Sequence, residues 1–96
     1  MKKSYYTYIL RNDKGLFYIG ITHNLTKRVW QHKNKVADGF TAKYHIDKLI
    51  YYEIYDDPEN AILREKQLKN WSRKKKILLI SKTNPRFEEI TIEELV

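Results

Sequence analysis

The stretch from Phe17 to His32, FYIGITHNLTKRVWQH, constrains the fold more than any other. Phe17 to Ile21 is aromatic and β-branched and interrupted by one glycine, the pattern of a strand. Asn24 is a natural N-cap for a helix beginning at Leu25. From there Leu25, Val29, His32 and Val36 recur at helical spacing, which predicts a helix over 25–36. A strand thus hands over to a helix within a few residues. Tyr18 lies in the strand, and Arg28 and His32, four apart, share one side of the helix.

The residues before this stretch supply its partner. Tyr5 to Arg11 reads as a strand, and Asn12-Asp13-Lys14-Gly15 fits a type I turn closed by a left-handed glycine. That three-residue hairpin loop with a bulge implies a register. Asn12 faces Leu16, Leu10 faces Tyr18 and Tyr8 faces Gly20. Tyr6, Tyr8, Leu10 and Tyr18 then share one face of the ribbon. Thr7, Ile9, Phe17, Ile19 and Ile21 share the other, the better core face. The first face is a row of phenols, with a glycine opposite Tyr8 where something could approach closely.

Further along, Asp38-Gly39 is expected to end the first helix, and Phe40 to Asp47 to be a polar connector. Lys48 to Tyr55 reads as a third strand, with Leu49, Tyr51, Glu53 and Tyr55 alternating against Ile50, Tyr52 and Ile54. Asp57-Pro58 starts a helix sharply, an N-cap followed by proline at the first helical position. That helix spans about 58–70, with an inner stripe of Ala61, Glu65 and Leu68. Ser72 caps another helix to about Lys82, closed by Asn84-Pro85. Thr91 and Glu94 are spaced as a small capping box for a last helical turn.

Ninety-six residues with no internal linker or repeat predict one domain over 1–96. With no cysteine, neither disulfides nor thiolate metal sites are available. Met1-Lys2-Lys3 begins like a signal peptide, but the apolar run breaks at Arg11. No run has the length of a membrane span, so the expected compartment is cytoplasmic. The net charge of +7 favours a polyanion, of which a nucleic-acid backbone is the commonest.

Four polar residues stand against the folding pattern, with a fifth beside them. Tyr8 and Tyr18 lie on the ribbon's phenol face, taken as its non-core face. His32 and Glu65 interrupt helix stripes that ought to be apolar, and Arg28 lies beside His32. Each has a plainer reading as strand former, satisfied core histidine, snorkelling carboxylate or surface cation. As a set they suit metal-assisted phosphodiester hydrolysis. A carboxylate can hold a hard cation such as Mg²⁺, or Mn²⁺, that takes a phosphate oxygen as ligand. An arginine fork stabilises charge building on phosphate. A phenol or imidazole positions or deprotonates the attacking water. Scattered histidines without cysteine disfavour zinc.

In these residues the chain resembles the GIY-YIG nuclease superfamily, specifically its small stand-alone bacterial members. Tyr6-Thr7-Tyr8 stands at the first motif and Tyr18-Ile19-Gly20 at the second. Arg28 and His32 match the arginine and histidine of the following helix. Glu65 matches the metal-binding glutamate, and Asn84 the late asparagine. Tyr6 departs from the name-giving glycine. The resemblance runs from about Tyr5 to Phe87. It implies an α+β fold, a three-stranded antiparallel sheet flanked by helices, and one-metal cleavage of DNA by Tyr8, Tyr18, Arg28, His32, Glu65 and Asn84. Larger relatives add a separate DNA-binding domain, for which the sequence offers no counterpart.

A basic stretch completes the reading. Arg64, Lys69, Arg73, Lys74, Lys75 and Lys76 crowd two successive helices around Trp71, as a sequence-blind phosphate-binding surface would. The leading expectation is a metal-dependent DNA endonuclease, in repair or recombination. The alternative is a non-catalytic nucleic-acid-binding module that keeps the fold. Glu65 separates them, because a pure binding module has no use for a carboxylate facing an anion. A protein-interaction adaptor is disfavoured by the lack of an obvious exposed apolar stripe.

Overall fold

The structure, a computed structural model, describes residues 3–91. In chain order the elements are β1 (Tyr5–Arg11), β2 (Phe17–Thr22), α1 (Leu25–Lys33), α2 (Gly39–Tyr44), β3 (Lys48–Tyr55), α3 (Pro58–Asn70) and α4 (Arg73–Ser81). The three strands form one antiparallel sheet in the order β2-β1-β3. The fold is α+β, as expected. The turn expected after Thr91 lies outside the described residues.

The hairpin has the register its loop dictates: Leu10 pairs with Tyr18 and Tyr8 with Gly20. Gly15 sits at φ +86°, a conformation glycine adopts without Cβ strain. Asn12 organises the loop. Its Oδ1 accepts from the amides of Lys14 and Leu16, and its Nδ2 donates to Tyr44 O. Three expected helix caps are in place: Asn24 accepts from Lys27 N, Asp57 from Asn60 N and Ser72 from Lys75 N.

Both faces of the sheet are covered, which corrects the expectation that the phenol face is not a core face. On that face Tyr8 and Leu10 pack with Leu25 and Val29 of α1, and with Ile46 and Leu49. On the other, Ile9 and Ile19 pack with Ile50, Tyr51, Leu68 of α3 and Ile80 of α4. Tyr8 is therefore core, 2% exposed. What closely approaches Gly20 is the Tyr8 ring itself.

Two further expectations change. The first helix stops at Lys33, and Val36 is 67% exposed, not part of the stripe. Lys35 has φ +60°, so the chain turns away from the helical axis before Val36. The connector at 40–47 contains α2. Asp38 begins it rather than ending α1: its Oδ1 accepts from the amides of Phe40 and Thr41. The even alternation of β3 is also broken. Ile9 faces Tyr51 while Leu10 faces Leu49, so Ile50 is an extra residue. This bulge puts Leu49 in one core and both Ile50 and Tyr51 in the other.

Candidate active site

The site begins at the hairpin register. Because Tyr8 faces Gly20 and Leu10 faces Tyr18, the two phenols emerge on the same face of adjacent strands. Their ring centroids are 6.4 Å apart. The α1 stripe carries His32 over them, at 5.8 Å from the Tyr8 ring and 5.3 Å from the Tyr18 ring.

A directed chain of hydrogen bonds runs through this group. Tyr8 Oη lies 2.9 Å from His32 Nε2, and His32 Nδ1 lies 3.0 Å from Thr41 Oγ1. Thr41 Oγ1 donates its one proton to Asp38 O at 3.1 Å. The hydroxyl can then only accept from His32, which places the imidazole proton on Nδ1. Nε2 is left as an acceptor, and Tyr8 donates to it. His32 is 2% exposed and Thr41 1%. Burial, and then the positive charge of Arg28, hold the His32 pKa below the ordinary histidine value, against Asp38 and Asp47. The imidazole is neutral and basic at Nε2 near pH 7.

Burial likewise raises the Tyr8 pKa, helped by Tyr18 and opposed by Arg28. Burial raises that of Tyr18 too, followed by the charge of Asp38, again opposed by Arg28. Glu65 acts in the same upward direction on both phenols. The charges of Arg28 and Glu65 thus meet at the two tyrosines, from α1 and α3 respectively. Tyr8, Tyr18 and His32 are in ring contact, and Arg28 and Glu65 lie within electrostatic reach of both phenols.

Arg28 is half-buried, and its side chain makes no hydrogen bond or ion pair to a described residue. Glu65, between the buried Ala61 and Leu68, has a side chain 16% exposed and pairs with Lys69 at 3.3 Å. Among the described residues no group of three or more His, Asp or Glu could cage a metal. A single half-buried carboxylate such as Glu65 instead suits a hydrated Mg²⁺-like ion. Such an ion keeps its waters and takes one or two carboxylates plus substrate phosphate.

Asn84 is not brought to this group. Its Nδ2 donates to Ile50 O and Glu88 O, and its Oδ1 accepts from Glu88 N, fastening the chain after α4 to β3. Arg64 is also committed elsewhere. Its Nε and Nη2 grip the Glu53 carboxylate at 2.9 and 3.0 Å, Nη1 donates to Gln67, and the guanidinium lies over Trp71. Lys69 holds Glu65, Arg73 lies over Phe17, and Lys75 over Trp71. Arg73, Lys74 and Lys75 remain exposed and Lys76 half-buried.

Sequence reasoning missed Asp38 and Thr41, both taken as punctuation between helix and strand. The available signal was an acidic N-cap followed by the i, i+4 pair Phe40 and Tyr44, the start of a short helix.

A layered α+β fold with two cross-strand phenols, a helix-borne arginine and histidine, and one glutamate defines a class. The GIY-YIG catalytic domain family matches residues 4–77, and the chain belongs to that family, a nuclease superfamily. Its relatives are small bacterial proteins. It is 34% identical over 77 residues to a UPF0213 protein of Staphylococcus saprophyticus, covering 80% of this chain and 94% of that one. It is 32% identical over 93 residues to a UPF0213 protein of Bacillus pumilus, covering 97% and 88%. The solution structure of a UPF0213 protein from Bacillus halodurans superposes with a TM-score of 0.58 at 27% identity, covering 88% of this chain and 90% of that one.

Proposed function

We propose that this protein is an endonuclease that hydrolyses DNA phosphodiester bonds with the help of one divalent cation, Mg²⁺ or Mn²⁺. The observation that carries the reading is the oriented pair of Tyr8 and His32, with an unpaired arginine beside it. Tyr8 Oη accepts a proton from the attacking water while passing its own to His32 Nε2. The Thr41 hydroxyl accepts from Nδ1 and holds the ring in that tautomer. Arg28 offers its planar fork to the phosphate, where negative charge builds in the transition state. Tyr18 closes the other side of the group. Glu65 would hold the cation, whose chemistry is to polarise the phosphate and ease departure of the leaving oxygen.

DNA as the partner, a role in repair or recombination and a cytoplasmic setting belong to the same proposal. The net charge of +7 supports a polyanionic partner. No helix among the described residues is long and apolar enough to cross a membrane. The non-catalytic binding module remains the competing reading, and the oriented relay argues against it, since binding alone needs no proton acceptor beneath a phenol. The test is a cleavage panel over duplex, nicked, flap and single-stranded DNA with Mg²⁺ or Mn²⁺, against Glu65→Ala. Metal-dependent cleavage that the variant lacks is expected. Uncut substrates throughout, with DNA still bound, would leave the binding module.

A further inference from the structure

A second feature lies on the outer side of Arg28. A cavity of about 110 Å³ is lined by Thr22, His23, Asn24, Lys27, Arg28 and Gln31. None of Tyr8, Tyr18, His32 or Glu65 borders it, so it is separate from the proton relay. No carboxylate borders it either. The side chains of His23, Lys27, Arg28 and Gln31 make no hydrogen bond or ion pair to a described residue. Asn24 has spent its Oδ1 on the α1 cap, which leaves its Nδ2 as a donor. The walls are therefore two cations and further N–H donors with no internal counter-charge. That composition suits a tetrahedral oxyanion.

We infer that this pocket seats a second phosphate of the bound strand, next to the one that undergoes reaction. Arg28 is shared between the two: one side of it lines the pocket, and its charge reaches the phenols and His32 on the other. Lys27 and His23 grip the neighbouring phosphodiester, and Gln31 donates from one turn further along α1. The pocket sets the register of the strand on the site without reading bases. It also places a phosphate contact on α1, away from the basic stretch of α4.

The inference rests on the nucleic-acid reading but is tested without turnover. Backbone amide shifts of the full chain are followed by NMR during titration with inorganic phosphate, and separately with hexathymidylate, which has only internal phosphates. Both are expected to move residues 22–31. The double variant His23→Ala with Lys27→Ala should weaken each by about tenfold, the scale of a lost charge-assisted contact. Lys14→Ala, an exposed lysine outside both the pocket and the basic stretch, should leave the phosphate titration unchanged. Shifts confined to 73–76, or undiminished binding in the folded double variant, would overturn the pocket. Response to inorganic phosphate alone would overturn its role as a seat for an internal phosphate. Cleavage with no shifts at 22–31 sinks only this inference. Phosphate binding there without cleavage sinks only the nuclease.

Discussion

The Tyr8 phenol lies directly over Gly20, its cross-strand partner, so closely that a Cβ on Gly20 would fall within 3.0 Å of three atoms of the phenol. The second motif's glycine is thereby the floor on which the relay's first residue rests. Gly20→Ala should push the ring off His32, breaking a bond of 2.9 Å inside a packed core. Overpacking of this kind costs roughly 1–3 kcal/mol. A fall in melting temperature together with loss of cleavage is expected. An unchanged melting temperature would mean that the ring moves freely.

His32 makes stability pH-dependent. Its folded pKa is depressed, so the neutral form is favoured in the folded state. Its contribution is fully present above the unfolded value near 6.5 and is lost as pH falls from there towards the folded pKa, because the unfolded chain takes up the proton first. Thermal melts at pH 7.5 and 5.5 should show a drop that His32→Asn reduces. Cleavage should decline over the same interval, as Nε2 becomes protonated. A drop of equal size in the variant would assign the effect to other groups.

Arg28→Lys retains charge but loses the planar fork. DNA binding near that of the unaltered protein is expected, with cleavage reduced by roughly 10²-fold or more, the scale of a lost transition-state donor. Equal losses in both would make Arg28 a docking residue.

Glu65→Gln nearly preserves shape and removes the charge. Its ion pair with Lys69 is one turn apart on a helix, with the lysine half exposed, so melting should change by the equivalent of about 0.5 kcal/mol or less. Metal-dependent cleavage should vanish, while DNA binding without metal should hold or strengthen. Surviving activity would exclude the one-carboxylate mechanism.

The Glu53 carboxylate is a second half-buried charge, its side chain 18% exposed. Burial pushes its pKa up, but the Arg64 fork and the Tyr51 and Tyr55 hydroxyls outweigh that and hold it below the ordinary glutamate value. Glu53→Ala leaves Arg64 without its partner and should cost about 2–3 kcal/mol, with no special effect on phosphate contacts. Melting temperature and DNA affinity measured on one sample distinguish this from a direct binding role for Arg64.

Local chemistry made much of this protein legible. Asn12 and Gly15 dictate a loop length, and loop length sets which residues face each other, so Tyr8 and Tyr18 were placed on one face by covalent spacing alone. The caps at Asn24, Asp57 and Ser72 were equally local, as was the four-residue step that puts Arg28 beside His32. Tertiary packing decided the rest. The phenol face became core because α1 and Ile46 pack over it, which no alternation within β1 and β2 could show. The bulge at Ile50 depends on pairing with β1, and the grip of Glu53 on Arg64 across elements removes that arginine from the basic surface. Asn84 was spent on the backbone of β3, a contact 34 residues away in sequence. Asp38 and Thr41 joined the site because a six-residue helix is too short to declare itself by periodicity and is held by its neighbours. Spacing determined which side chains could meet, and the burial of two opposed faces decided which of them did.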